Sequence, residues 1–292
     1  MFDVLPLTVL SEAEWAARQQ AYERRVDVLV GDHLSRRRRG EKHPVEDFLF
    51  TYYSYRPAQL RRWHPGAGVV LVGDAPHAAW RGYVRTGRGV TIDPAFVEQR
   101  AETIRWVHSL LSATASRPAF TGCFGLHEWA MVYRADAVRH EAWPLRLGQS
   151  GTDAVVERHQ IRCSHFDAFR FFTDDAVPRN TLQPSRHRQI ELEQPGCLHA
   201  NMDMYKWAYK LSPIVPSELV ADAFELARDI RELDMRASPY DLTDLGYEPV
   251  RIETPEGKRE YAASQRGFLD RAAELRSQLL SECDQRLAFV GR

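Results

Sequence analysis

Helical periodicity is the feature that most narrows the folds open to this chain. The segment "SEAEWAARQQAYERRVDVLV" opens with Ser11 and Glu14 at the spacing of a capping box, in which each side chain satisfies a backbone N–H at the start of a helix. Trp15, Tyr22 and Val26 then follow at roughly helical intervals. The segment therefore predicts a long amphipathic helix.

Similar helical patterns fill most of the remaining sequence. One begins in "HPVEDFLFTYYSYRPAQLRRW", where Pro44 suits a first turn and Pro57 is expected to end or kink the helix near Arg56. Asp93 followed by Pro94 marks the start of another. Further helices are predicted over 95–111, 125–140, 197–211, 216–237 and about 258–283, whereas 153–172 is ambiguous between a helix and a strand that precedes one.

Two short segments have the character of strands. "GVVLVGD" and "RGYVRTGRGVTI" combine β-branched residues with glycine turns. Nothing in the sequence marks a linker between domains. The predicted fold class is therefore mainly α, with a single helical domain over residues 1–292 and a small β element near residues 68–92.

Charge and composition exclude several classes of function. The chain has 292 residues, of which 44% are apolar and 27% charged, as in ordinary soluble globular proteins. Its net charge of −1 gives no general attraction to nucleic acid or to an anionic membrane. It has no apolar run of the length that a membrane span needs. The start, "MFDVLPLTVL", is apolar but short and lacks basic residues, so a signal peptide is not expected.

The cysteines and one charge run add two expectations. The four cysteines include no C-x-x-C pair, which indicates free thiols in a reducing cytosol and hence a cytoplasmic protein. The run "RRRR" at 36–39 predicts a solvated helix end, with a nucleic-acid-binding patch as the alternative.

Several catalytic motifs are missing from the sequence. It has no glycine-rich phosphate-binding motif and no G-x-S-x-G nucleophile turn. "HEWAM" starts at His127 like a zinc-protease helix, but Met131 stands where the second histidine belongs. Repeated Glu-x-x-His pairs, which four-helix di-iron sites require, are not found either. What remains is a set of histidines in aromatic-rich segments: His43, His77, His127, His159, His165 and His199.

Among these histidines, His199 has the most informative surroundings. In "GCLHANMDMYKW" it stands four residues before Asp203, and residues i and i+4 of a helix share one face. Asp203 is therefore placed to orient the imidazole of a metal ligand, although such a pair also forms ordinary surface salt bridges. Neighbouring methionines and aromatic residues, Trp207 among them, indicate a buried segment, for which simple core packing is the alternative explanation.

The aromatic segment "FLFTYYSYRPAQLRRW" permits three interpretations. A helix that is aromatic nearly all round belongs in the interior. It could line a flat apolar cofactor or an aromatic substrate, it could stack a flipped base, or it could only pack in the core.

The segments around His159 and His199 resemble the heme-dependent aromatic oxygenases of actinobacterial antibiotic pathways. These are tyrosine hydroxylases related in fold to tryptophan 2,3-dioxygenase, and one branch has a His, some forty residues, and then H-x-x-x-C. Here His159 is followed by thirty-nine residues and then by "HANMD", with Asp203 in the place of the cysteine. "FLFTYYSYRPAQL" is also similar to the aromatic first pocket helix of the tryptophan dioxygenases.

The resemblance implies a site and a reaction. His199 would bind the iron of heme b, which would not be covalently attached because Asp203 replaces the cysteine. Asp203 or a backbone carbonyl would hydrogen-bond the other ring nitrogen, while Trp207, Tyr55 and Arg56 would surround the heme. Hydrogen peroxide or dioxygen would then hydroxylate a small aromatic substrate, L-tyrosine to 3,4-dihydroxyphenylalanine. The distal acid–base group is left open among three histidines: His43, His77 and His159.

Two other classes of function stay open. The segment "HPVEDFLFTYYSYRPAQLRRWHPG" resembles actinobacterial proteins labelled 3-methyladenine DNA glycosylase, which excise alkylated purines, but the helix-hairpin-helix pattern of such enzymes is missing. The other class is a non-catalytic heme-binding protein. Neither a membrane nor nucleic acid is expected as a partner, and the oligomeric state, a homodimer included, is not determined by the sequence.

Overall fold

The computed structural model describes residues 8–135 and 142–290, with side chains to residue 288, and begins with the predicted capped helix. Helix α1 spans Glu12–Arg39. The Ser11 backbone N–H donates to the Glu14 carboxylate (2.8 Å) and the Glu14 N–H donates to the Ser11 hydroxyl (3.4 Å), so the capping box is confirmed. The run 36–39 forms the last turn of α1, where positive side chains complement the helix dipole.

The structure is mainly helical, as predicted. Helices α2 (Phe48–Tyr52), α3 (Pro57–Leu60), α4 (Pro94–Gln99), α5 (Ala101–Ala115), α6 (Leu126–Ala130) and α7 (Gly148–Arg158) occupy the first half. The second half holds α8 (Phe166–Phe169), α9 (Gln189–Leu192), α10 (Leu198–Met202), α11 (Met204–Leu211), α12 (Ser217–Arg236) and α13 (Pro255–Val290).

Helix α12 lies at the centre of the helical packing. It contacts α1, α2, α3, α10, α11 and α13. Most of its side chains are buried, and they include Val220, Phe224 and Ile230. Two charged residues on the same helix, Arg231 and Asp234, are also buried. A buried charge is costly unless it is paired, so α12 must supply partners for these two residues inside the core.

The β element near residues 68–92 is confirmed, with one further strand. Strands β2 (Val69–Leu71), β3 (Tyr83–Thr86) and β4 (Gly89–Ile92) join β1 (Thr8–Leu10) in the order β1-β2-β4-β3. β1 pairs with β2 in parallel, and the other pairs are antiparallel. The sequence analysis missed β1, because a three-residue strand has too few positions for an alternating pattern.

Several predicted helices are shorter or interrupted. The predicted helix over 43–63 forms two short helices, α2 and α3. Tyr53 is extended (ψ 143°) and ends α2. Arg56, which Pro57 holds in an extended conformation, is the N-cap of α3. The predicted helix over 125–140 is α6 alone within the described residues, and 136–140 lie outside them. The ambiguous segment 153–172 is helical at both ends, and the last helix is longer than predicted.

Within residues 8–135 and 142–290, no helix combines the length and apolar character of a membrane span. The four cysteines are free, as predicted.

A buried histidine beside the sheet is expected to make the stability of the fold sensitive to acid. His64 is buried against Tyr83, whose hydroxyl lies 2.9 Å from Nδ1, and beside His77 and Trp80. Burial, together with repulsion from His77 and Arg62, lowers the pKa of His64 from 6.5 to about 3. Between about pH 6.5 and 3 the unfolded chain therefore binds a proton at His64 that the folded chain does not. The free energy of unfolding is at its full value above about pH 6.5 and falls as the pH drops toward 3, by about 1.4 kcal/mol per pH unit at most.

We expect His64→Phe, which keeps the ring stack on Tyr83, to be less sensitive to acid than the native chain. Its free energy of unfolding should be measured by urea titration between pH 7 and 4, and it should fall less steeply with decreasing pH than that of the native chain. His187→Phe, at an exposed histidine, serves as the control and should keep the native slope. Equal slopes for the native chain and His64→Phe would contradict the assignment.

Candidate metal centre

The site begins at a tight turn that places α6. Phe124 and Gly125 both have left-handed backbone conformations, with φ of 46° and 69°. A left-handed phenylalanine is uncommon and is found where the surrounding structure requires it. The positive φ at position 125 suits glycine, whereas a Cβ there would make only ordinary van der Waals contacts with Ala237 and Tyr261 (3.4–3.5 Å). The turn directs His127 and Glu128, the second and third residues of α6, into the core.

His127 and Glu128 meet charged residues of α12. His127 Nε2 lies 2.8 Å from Asp234 Oδ1, and Arg231 lies 3.1 Å from both Glu128 and Asp234. His199, from α10, completes the group with Nε2 at 3.9 Å from Asp234 Oδ2. We call His127, Glu128, His199 and Asp234 the Asp234 cluster; a ligand atom of each lies within 4.8 Å of the others.

The protonation states of the Asp234 cluster follow from burial and neighbouring charges. Burial alone raises the pKa of Asp234, but attraction to His127 and Arg231 outweighs it and holds that pKa well below its usual range. For His127 burial lowers the pKa, and Asp234 more than reverses the effect. Burial and the neighbouring His127 lower the pKa of His199 to about 3. His199 is therefore a neutral imidazole at ordinary pH.

A second buried cluster lies next to the first. His165 Nε2 is 3.3 Å from Asp203 Oδ2 and 3.6 Å from Glu193 Oε1. Asp203 also accepts hydrogen bonds from the Tyr53 hydroxyl (2.8 Å) and the Lys206 ammonium. We call His165, Glu193 and Asp203 the Asp203 cluster; all three are buried.

His199 joins the two clusters. Its ring centroid lies 4.4 Å from that of His127, edge to face, and 5.4 Å from that of His165, nearly parallel. Within the described residues, the ring of His199 makes no hydrogen bond to a protein group. Nδ1 of His165 is likewise buried without a partner. The junction therefore presents nitrogen atoms that protein groups leave unsatisfied.

The two clusters have similar composition. Each holds two carboxylates beside a cation: Arg231 pairs with Glu128 and Asp234, whereas Lys206 pairs with Asp203 and also with Asp167 outside the cluster. The pKa shifts of the remaining groups favour protonation: Asp234 raises the pKa of His127, hydrogen bonding to Asp203 raises that of His165, and burial raises those of Glu128 and Glu193. A divalent cation would neutralise the same charges.

The three histidines predicted as distal acid–base groups are dispersed rather than gathered at His199. His43 accepts hydrogen bonds at Nδ1 from the backbone N–H groups of Val45 and Glu46. His77 is buried next to the sheet, with Nε2 3.0 Å from the carbonyl oxygen of Trp63. His159 caps α7, where Nδ1 meets a backbone carbonyl. Each of the three is occupied by a local structural contact.

Asp203 has different partners from those predicted. It is 1% exposed, which confirms that the segment is buried, but its partners are Tyr53, His165 and Lys206, and His199 instead faces Asp234. The backbone N–H of Asp203, between α10 and α11, still donates to the carbonyl oxygen of His199 (2.8 Å), but the Asp203 carboxylate pairs with the ammonium of Lys206 rather than with the imidazole of His199.

The other predicted cofactor-binding residues contact residues other than His199. Trp207 packs against Trp106, with ring centroids 4.8 Å apart. Tyr55 stacks on Tyr209, at 4.7 Å. Arg56 caps α3 and is exposed. Their contacts do not form a wall around the imidazole of His199.

A heme bound through His199 would need open space beside the imidazole. The cavity that His199 lines has a free volume of about 10 Å³, which is room for about one water molecule. His127 and His165 pack against other sides of the ring. A porphyrin therefore does not fit beside His199 in this arrangement, and heme b stays a prediction from the sequence.

Most of the charged residues in these clusters were not predicted. Glu128 was noted only because it follows His127 directly and so does not form a Glu-x-x-His pair. The signal for Asp234 and Arg231 was present, because they stand three residues apart in a helix that is otherwise almost entirely apolar on that side. Glu193 and Lys206 carry no local signal, since their role depends on contacts made only in the folded chain.

Comparisons with protein-family models, with curated proteins and with solved structures find no match to this chain, so the chemistry of the site rests on its own geometry.

Proposed function

We propose that this chain is a metalloenzyme of the oxidoreductase class, with a divalent metal ion held by His127, His199 and Asp234. The observation that carries the proposal is the convergence of two imidazoles and one carboxylate inside the fold, with a second set of metal-ligating side chains beside them. Two histidines and one carboxylate with open positions are the ligand set of non-heme iron(II) oxygenases.

The spacing of the ligand atoms supports this assignment. His127 Nε2 and His199 Nε2 lie 2.8 and 3.9 Å from the two oxygens of Asp234. Atoms that each lie about 2.1 Å from one ion are separated by roughly 3.0–3.4 Å. Small side-chain rotations therefore convert the hydrogen-bonded group into a coordination shell.

The retained charges support a function beyond stability. Burying four carboxylates and two cations is costly, and such networks are often no more stable than apolar packing of the same volume. When bound, the metal ion would supply an open coordination position at which an oxidant reacts. The cavity beside His199, with room for about one water molecule, is a suitable place for that position.

The substrate and oxidant in this proposal come from the sequence. Hydroxylation of an aromatic compound with peroxide or dioxygen, and a tryptophan 2,3-dioxygenase-like fold, are what the resemblance implies. We propose the same reaction class with a non-heme ion in place of heme b. In the arginine run, Arg36 pairs with Glu46 and Asp47, whereas Arg37 and Arg38 are exposed, so this run does not separate the oxygenase from the glycosylase alternative.

Iron binding by His199→Ala tests the proposal. The metal-free native chain, exposed to Fe(II) under argon and then desalted, should retain about one iron per site. Loss of a direct ligand should weaken binding by at least the 10–100-fold that the loss of a supporting group costs. His199→Ala should therefore retain almost no iron when its metal content is measured by mass spectrometry.

The matched control is His108→Ala, which removes an imidazole that pairs with Asp284 at the surface. It should keep the native iron content. If His199→Ala binds as much iron as the native chain, or if neither protein binds any, the assignment is wrong. A Soret band in the purified native chain would restore the heme prediction.

A further inference from the structure

A large groove lies on the other side of the Asp203 cluster from His199. Its volume is about 940 Å³, within the range of small-molecule sites. Helices α5, α8 and α11 and the end of α2 provide its walls. Lys206 lies in its lining and bonds Asp203, so the groove reaches the buried cluster through one side chain.

One wall of the groove is aromatic. Trp106 and Trp207 have ring centroids 4.8 Å apart, and Trp106 is 38% exposed despite its size. Tyr52 and Phe166 add further ring surface. Exposed apolar surface of this kind inside a concavity is typical of a ligand site. The wall suits a flat ring system.

The rim of the groove is positive. Its lining includes four cations, Arg170, Arg186, Lys206 and Lys210, against two carboxylates, Glu102 and Asp167. Lys206 and Arg170 already pair with Asp167.

Two of the four cations are available to a ligand. Within the described residues, Arg186 and Lys210 form no salt bridge to a carboxylate. They lie instead over the rings of Phe166 (5.6 Å) and Trp207 (5.9 Å). Both side chains belong to exposed residues, so a ligand can reach them.

We propose that this groove binds a small aromatic carboxylate, with its ring against Trp106 and Trp207 and its carboxylate at Lys210 and Arg186. Ionised pairs of this kind form the stronger hydrogen bonds in proteins. As a binding site the groove stands on its own geometry, because its lining contains none of the proposed metal ligands.

The experiment compares a charged probe with its neutral analogue by titration calorimetry on the metal-free native chain. 2-Naphthoate should bind, and 2-naphthamide, which keeps the rings and loses the charge, should bind about tenfold more weakly. Lys210→Gln and Arg186→Gln should reduce naphthoate affinity and leave naphthamide unchanged. Trp106→Ala should weaken both probes. Arg88→Gln, an exposed cation on the β3–β4 turn, is the control and should change neither.

Equal affinity for 2-naphthoate and 2-naphthamide, or no binding of either, would overturn the inference. Tighter binding of adenosine monophosphate than of naphthoate would also overturn it, because it would indicate a nucleotide as the ligand. Because no metal is present, these results are independent of the proposed function. A groove that binds naphthoate in a chain that takes up no iron would keep the inference and refute the metalloenzyme, and the reverse pattern would do the opposite.

Discussion

Replacement of Arg231 by alanine is expected to destabilise the protein by about 3–5 kcal/mol, the usual cost of removing one partner from a buried ion pair. The guanidinium lies 3.1 Å from both Glu128 and Asp234, and it covers the ring of Phe48 at 3.9 Å. Without it, two buried carboxylates face each other with only His127 to compensate them. The free energy of unfolding should be measured by urea titration with a chelator present, so that metal does not replace the lost charge.

Arg228→Ala is the matched control for this measurement. Arg228 lies on the same helix and pairs with Asp229, but both side chains are substantially exposed. Exposed pairs contribute roughly 0–1 kcal/mol. A loss in Arg231→Ala no larger than that in Arg228→Ala would mean that the carboxylates of the Asp234 cluster are protonated and need no cation.

Local patterns in the sequence were sufficient to predict most of the helical and strand segments. The capping box at Ser11 and Glu14, the period of α12 and the strands near residues 68–92 depend on neighbouring residues, so they could be predicted without knowledge of the fold. Predictions were less accurate at the breaks. Tyr53 ends α2 in an extended conformation, and Asp203 separates α10 from α11. Their side chains bond each other across 150 positions of sequence, and no local pattern records such a contact.

The candidate site was predictable only in part. His199 was singled out and does lie at the junction of the two clusters, but its carboxylate neighbour is Asp234 from α12 rather than Asp203. The i, i+4 rule places two side chains on one face of a helix but does not decide their partners, and Asp203 bonds Tyr53 and Lys206 instead. The pairing of His127 with Asp234 joins residues 107 positions apart, so it depends on how α6 packs against α12.

The second large effect is expected for Asp234→Asn. Asparagine preserves the size of the side chain but removes the charge that both proposed histidine ligands share. Metal ions of this class require an ionised carboxylate in such a ligand set, so affinity for Fe(II) should fall by at least about 100-fold. Asp284→Asn makes the same chemical change at an exposed position that pairs with His108, and it should leave metal binding unaltered.

Native mass spectrometry of the chain purified from iron-supplemented culture tests the metal centre most directly, because the mass excess over the polypeptide identifies what is bound. The account predicts an excess equal to metal ions alone in the native chain and in Asp284→Asn, and no excess in Asp234→Asn. A native chain with the mass of the bare polypeptide, or with the added mass of a heme, would contradict it.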